Sequence, residues 1–245
     1  MSRAATLLFA ILSYAIFFAT FLYLIVFVGD FGFAQRTVDV GPEAPLAVAL
    51  VVNIALIALF GLQHSVMARQ GFKRWWTRFI PPPAERSFYV LCASLALIIL
   101  FLGWRPIDNV VWRVESPLLS DLIWFAFWLG WATVLVSTFL INHFELFGIQ
   151  QAWFNMNGRQ PAPPQLRQPL FYRWVAHPLY SGFFLAFWAT PEMTVGHLLL
   201  AVGMSAYMLI AIRYEERDLV GLFGDDYVAY RRDVGMLTPR IRRRA

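Results

Sequence analysis

The chain has 245 residues, of which 59% are hydrophobic and 14% charged, with a formal net charge of +5. Soluble domains carry about 25% charged residues, so this composition leaves too little polar surface for an ordinary soluble globule. The apolar residues come in long blocks with basic residues at their ends, the pattern of membrane topology rather than of nucleic-acid binding.

The first block spans 5–28, enough at about 1.5 Å per residue to cross a hydrocarbon core of roughly 30 Å as a helix. It is longer than the apolar region of a secretory signal and has no Ala-x-Ala cleavage site, so it is predicted to be a retained first span. Further spans are predicted over 46–66, 88–104 and 118–141. Gln63, His64 and Ser65 close the second of them, where polar groups are costly unless paired or wet. A histidine there is a candidate base or substrate orienter, and equally a hydrogen-bonded helix terminus. Cys92, the single cysteine, lies inside the third span and reads as packing.

After 141, NHFELFGIQQAW has the aromatic and apolar residues of an interfacial helix. Asn142, His143 and Glu145 are candidate pocket lining there, or loop packing. The Gly- and Pro-rich NMNGRQPAPPQLRQ is loop. The last apolar region, 180–212, would be about 50 Å long as one helix, too long for one untilted crossing. TPEMT interrupts it, because Pro191 lacks a backbone donor and Glu192 is costly at midplane. A helical hairpin with arms near 180–190 and 195–212 follows.

Charge fits that hairpin. Arg69, Lys73, Arg74, Arg78 and Arg86 against Glu85 mark the loop after the second span as cytoplasmic, and Asp30, Asp39 and Glu43 against Arg36 place the preceding loop outside. A returning hairpin then leaves both termini inside, whereas a single final crossing would export the arginine-rich tail. The expected fold is an all-α polytopic membrane protein, a single domain over 1–245, with five or six transmembrane segments, a C-terminal helical hairpin and a cytoplasmic tail.

Polar residues gather at the two ends of the hairpin. HPLYSG places His177 and Tyr180 three apart, with Pro178 suited to a first helical turn and Gly182 allowing close approach of a helix or ligand. YEERD brings Glu215 and Glu216, which accept charge-assisted hydrogen bonds or simply mark the end of a span. Leu219 and Phe223, then Tyr227 and Tyr230 after Gly224, suit a tail packed back on the bundle. No HExxH, paired-cysteine, GxGxxG, phosphate-loop or GxSxG pattern is present, so no metal is expected, and His197 falls toward the opposite membrane face.

The ordered set HPLYSG, YEERD and LFGDDYVAY resembles the membrane methyltransferases that include isoprenylcysteine carboxyl methyltransferases and phospholipid N-methyltransferases. His177, Pro178, Tyr180, Gly182, Glu215, Glu216, Leu219, Phe223, Gly224, Tyr227 and Tyr230 match their shared pattern. Ala176 stands where that pattern has arginine, so the arginine's contact is absent or is supplied by Arg173 or another residue. GLQHSVMAR, WWTRFIPPPAERSFYVLCAS, NHFELFGIQQ and FWATPEMTVGHLLLA resemble more narrowly the bacterial methanethiol S-methyltransferases of the nurim-related membrane group.

That resemblance implies S-adenosylmethionine as methyl donor and methanethiol as acceptor, giving dimethyl sulfide and S-adenosylhomocysteine. It assigns His177, Tyr180, Gly182, Glu215 and Glu216 to the cofactor, within a portion of about 171–239. His64 is our candidate for the thiol side. The implied partners are a small thiol and the lipid bilayer, without nucleic acid, in a bacterial inner membrane with the active-site mouth cytoplasmic. Another thiol, a lipid amine or a prenylated carboxylate fits the same donor half as acceptor, and a non-enzymatic nurim-like organiser fits the membrane portion. Oligomeric state is not legible.

Overall fold

In a computed structural model, which describes residues 1–161, 163 and 165–240, the chain folds into helices α1 (Arg3–Val28), α2 (Leu46–Ala68), α3 (Gln70–Trp76), α4 (Pro82–Gly103), α5 (Pro117–Ile141), α6 (His143–Leu146), α7 (Ile149–Met156), α8 (Pro178–Trp188), α9 (Val195–Phe223) and α10 (Asp225–Asp233). Among the described residues α1, α2, α4, α5 and α9 are long and apolar enough to cross a membrane, so this is a multi-pass integral membrane protein. Several hydroxyls within the spans bond to their own helix, as Thr20 Oγ1 does to the Ile16 carbonyl at 2.7 Å and Ser94 Oγ to that of Val90 at 2.9 Å. Nothing else in hydrocarbon would satisfy them.

α4 begins six residues before the expected 88. Prolines occupy its first positions, where their missing N–H groups forfeit no intrahelical bond. The expected interfacial helix after 141 is broken in two by Gly148, whose φ is +92° and whose Cβ, were there one, would lie 2.4 Å from Ser87 Oγ. Glycine is required there on both counts.

The residues group into two compact units. In the first, α1 and α2 pack on α4, and α7 packs on α1 and α4. Buried Asn53 exchanges two hydrogen bonds with the backbone of Arg105, at 2.7 and 2.9 Å, and Trp104 Nε1 donates to the Val38 carbonyl at 2.9 Å. Two short strands, β1 (Val110–Arg113) and β2 (Glu192–Thr194), pair in this unit. Val195 and Gly196 donate from their backbone to the carbonyls of Asn109 and Ile107, and Thr194 Oγ1 donates to Asp39 at 2.5 Å. The turn of the hairpin is therefore fastened to the loops that follow α1 and α4.

In the second unit α5 and α8 cross at two glycines. A Cβ on Gly182 would sit 2.7 Å from the Gly130 carbonyl oxygen and 2.8 Å from the Val134 nitrogen, and one on Gly130 would sit 2.7 Å from the Ala186 nitrogen. The obstructing atoms are backbone, so no rotamer change relieves them. Small residues let helices touch in this way in a bilayer. Trp188 Nε1 donates to Ser205 Oγ at 3.0 Å, tying α8 to α9.

The two arms are unequal. α8 has 11 residues, about 16 Å, and non-helical residues carry the chain on to β2. Five helices are long and apolar enough to span among the described residues, and α8 is a shorter arm because Pro191 and the strand pairing end it early. α9 has 29 residues, about 43 Å, and runs 11 residues past the expected 212. Its last turns are charged, and Glu, Arg and Leu favour a helix as readily in water as in lipid.

Half-buried Asp39 supplies a pH dependence. Burial pushes its carboxyl up to about 6, with Asp30, Glu192 and Asp108 adding to the shift and the hydrogen bond from Thr194 opposing it. The fold thus favours the protonated form, and that contribution is complete below the ordinary value of 3.8 and is lost as pH rises through about 6. The thermal midpoint should fall across that window in scanning calorimetry, and Asp39→Asn, which keeps an acceptor without the charge, should flatten the slope.

Candidate functional site

His177 caps α8 and Pro178 opens its first turn, as the HPLYSG spacing predicts. The His177 side chain is 3% exposed, and its Nε2 lies 3.5 Å from Glu216 Oε1 on α9. That is an ion-pair distance rather than a good hydrogen bond. The other oxygen of Glu216 receives Arg231 of α10 at 2.7 Å. One carboxylate therefore joins the start of the short arm, the end of the long arm and the tail.

Backbone contacts reinforce the closure. Ala176 and His177 donate N–H to the carbonyls of Gly235 and Met236, and Ser181 Oγ donates to that of Leu237 at 2.6 Å. Tyr230 donates its hydroxyl to the Tyr172 carbonyl at 2.7 Å. Tyr227, Tyr230, Val234 and Ala176 form a buried cluster, against which Leu166, Leu219 and Phe223 pack. The tail spacing read from the sequence produces this cluster.

The environment keeps the tyrosines protonated. Burial raises Tyr227, and Glu216 and Glu215 add to it. Burial also raises Tyr172, with Glu215 contributing, and pushes Tyr230 up to about 12. Among the described residues neither Tyr227 Oη nor His177 Nε2 has a hydrogen-bond partner, although both atoms are buried. Such groups cost roughly 1–3 kcal/mol each when left unmade. A donor hydroxyl, an imidazole nitrogen and two carboxylates suit a ligand carrying hydroxyls, an ammonium and a carboxylate.

The other expected residues fall as follows. Tyr180 lies one turn into α8, its ring 5.8 Å from that of His177 and nearly edge-on. Gly182 faces the backbone of α5, so what it contributes to this corner is the close seating of α8. Glu215 is exposed beside half-buried Glu216, which makes the two carboxylates unequal. Ala176 is buried in the tyrosine cluster. An arginine side chain has no room there, and the cation nearest in role is Arg231, fifteen residues from Glu216 and without any spacing signal that joins them. Arg173 instead lines an open groove of about 510 Å³ with Gln168, Asp226, Tyr230 and Asp233. The groove includes neither His177 nor Glu216.

His64 belongs to the first unit, at the end of α2, with its ring 4.8 Å from that of Tyr89 and 5.3 Å from that of Phe60. The Asn142, His143 and Glu145 cluster separates. His143 is buried with Nε2 2.7 Å from Tyr14 Oη, and burial pushes its imidazole below the ordinary value, whereas Glu145 is exposed. His197 is buried at the start of α9, its backbone N–H donating to Thr194 Oγ1 at 3.0 Å. Among the described residues no three His, Cys, Asp or Glu side chains are arranged to hold a metal ion.

Comparison with known proteins is consistent along the whole length. The chain is 52% identical over 239 residues to the methanethiol S-methyltransferase of Mycobacterium tuberculosis, covering 98% of each chain. It is 51% identical over 242 residues to that of Pseudomonas deceptionensis, covering 99% of this chain and 92% of the other. Nurim of Bos taurus is 28% identical over 189 residues, 72% of this chain and 70% of its own. No family model and no solved structure matches.

The Tyr230 hydroxyl is one of the tail's polar anchors. Tyr230→Phe should cost about 1 kcal/mol of local stability, read as faster amide exchange over residues 225–237 with α1 and α4 unchanged.

Proposed function

The chain belongs to the methanethiol S-methyltransferase family, and on that premise we propose that it methylates methanethiol at a site closed by the two ends of its C-terminal hairpin. It is an S-adenosylmethionine-dependent methyltransferase, and its products are dimethyl sulfide and S-adenosylhomocysteine. The observation that carries the location of the donor site is the approach of His177 to Glu216 at 3.5 Å. It gathers polar groups from 39 residues apart in sequence at one end of the hairpin.

The residues present fit S-adenosylmethionine. Glu216 and the more exposed Glu215 accept from its hydroxyls or ammonium, and buried Tyr227 Oη and His177 Nε2 take up hydrogen bonds they otherwise lack. Tyr180 flanks His177, and Gly182 seats the helix that carries both. When bound, the cofactor supplies a methyl group already activated by its sulfonium. The protein's task is then to align the acceptor, exclude water and take a proton. Only the thiolate is strongly nucleophilic, and an ordinary thiol titrates at about 8.5. His64 is the proposed proton acceptor.

The same reading orients the chain in a bacterial inner membrane with both termini and the site's mouth cytoplasmic. The basic residues between α2 and α4 and the acidic ones between α1 and α2 support it. A small apolar thiol arrives from the lipid, and the charged cofactor from water.

Donor and acceptor roles separate in calorimetry with S-adenosylhomocysteine and in gas-phase measurement of dimethyl sulfide. Glu216→Gln should weaken cofactor binding by tenfold or more, through loss of a charged hydrogen-bonding group, and Glu215→Gln by less. His64→Ala should leave cofactor affinity in place and slow turnover by about a hundredfold, the scale of a lost general base. Unchanged turnover in His64→Ala across pH would remove its proton role.

A further inference from the structure

Residues 69–81 join α2 to α4. Both of those helices are long and apolar enough to cross a membrane, so the segment between them is held at the level of one membrane face, whichever face that is. Within it, α3 and the turn that follows carry two kinds of exposed side chain. Trp75 and Phe79 are 48% and 68% exposed, their rings in contact at 5.4 Å and edge to face. Arg74 and Arg78, the residue before each, are exposed as well. Among the described residues neither guanidinium meets a carboxylate, and Glu85, half-buried, is the one acidic residue of the stretch 69–87.

Packing fixes the segment at that level. Phe72 and Trp76 are half-buried, the Trp76 ring stands 5.0 Å from that of Phe88 on α4, and the Phe72 ring stands 5.4 Å from that of Trp75 and 5.9 Å from that of Trp76. Thr77 Oγ1 donates to the Lys73 carbonyl at 2.8 Å and Arg69 Nε to that of Ser65 at 3.0 Å, which secures the backbone at both ends of α3. The exposed row is therefore presented by a braced element.

Two exposed aromatic rings beside two exposed cations match the boundary of a charged bilayer. Amphipathic rings sit well at headgroup level, and a cation near an anionic leaflet is attracted over about a Debye length. The guanidinium fork also fits phosphate oxygens in pairs. A soluble acidic partner would engage the arginines and leave both rings in water, whereas a phospholipid offers a phosphate to one pair and an acyl boundary to the other.

We propose that α3 and the turn after it form a docking surface for anionic phospholipids, with Arg74 and Arg78 on the headgroup phosphates and Trp75 and Phe79 at the acyl boundary. The partner is the lipid itself, so the proposal holds whichever acceptor the chain methylates.

Full-length protein in a neutral detergent would be titrated with phosphatidylglycerol and, separately, with phosphatidylcholine, and the retained lipid counted by native mass spectrometry. Wild-type protein should retain phosphatidylglycerol in preference. Arg74→Gln/Arg78→Gln should weaken that retention by more than about tenfold, from roughly fivefold per cation at a charged surface, and leave phosphatidylcholine unaffected. Arg74→Lys/Arg78→Lys should keep most of it, and Trp75→Ala/Phe79→Ala should weaken retention of both lipids. Equal retention of the two lipids by wild-type protein, or wild-type retention in the glutamine pair, overturns the proposal. Arg159→Gln/Arg167→Gln removes the same charge from exposed positions elsewhere, and an equal loss there would reduce the effect to net charge and overturn the site. Displacement of the lipid by inorganic phosphate or by polyglutamate overturns it in favour of a soluble anion. A lowered melting temperature shared by the glutamine and lysine pairs, with equal loss of lipid, would make the two arginines structural and overturn it too.

Discussion

One carboxylate organises the C-terminal half of this protein. Glu216 faces His177 on one side and Arg231 on the other, and each partner comes from a different segment. Glu216 is only partly exposed, and a half-buried carboxylate is stabilised by such partners, so the three segments meet at this one group. Tyr227 and Tyr230 pack beneath the junction and lack the polarity to replace it. What the arrangement leaves over is a buried tyrosine hydroxyl and an imidazole nitrogen without a hydrogen bond.

The bilayer imposes the rest. Backbone groups in hydrocarbon must be satisfied by the chain itself, and the long spans do this as helices. The bilayer explains the glycines too. Between helices in lipid there is little hydrophobic gain from association, so close packing has to supply it, and Gly130 and Gly182 bring two backbones into direct contact. In a soluble protein HPLYSG would invite a reading of Gly182 as a ligand-approach position. Here the backbone of α5 is what lies against it.

The two substrates ask for different surroundings. A cofactor with an ammonium, a carboxylate and ribose hydroxyls is suited by carboxylates, an imidazole and a phenol near the aqueous end of a long helix. A small thiol has one polar atom and needs walls more than hydrogen bonds.

The four long spans before the hairpin, the hairpin itself and the tail's two-tyrosine spacing were legible in the sequence, because hydropathy and helical periodicity act locally and the bilayer penalises every departure from them. HPLYSG and YEERD were legible as the ends of one excursion for the same reason. A returning hairpin implies that these ends meet, but Arg231 as the second partner of Glu216, the burial of Ala176 and the pairing of His143 with Tyr14 were not legible. Each depends on which residues distant in the chain become neighbours. The extra turns of α9 were missed because charged residues end a hydropathy block without ending a helix. Local composition by itself determined that this is a multi-pass helical membrane protein, whereas only the tertiary structure decided which polar groups face one another, since ion pairs and helix crossings act through space and leave no periodic trace in the chain.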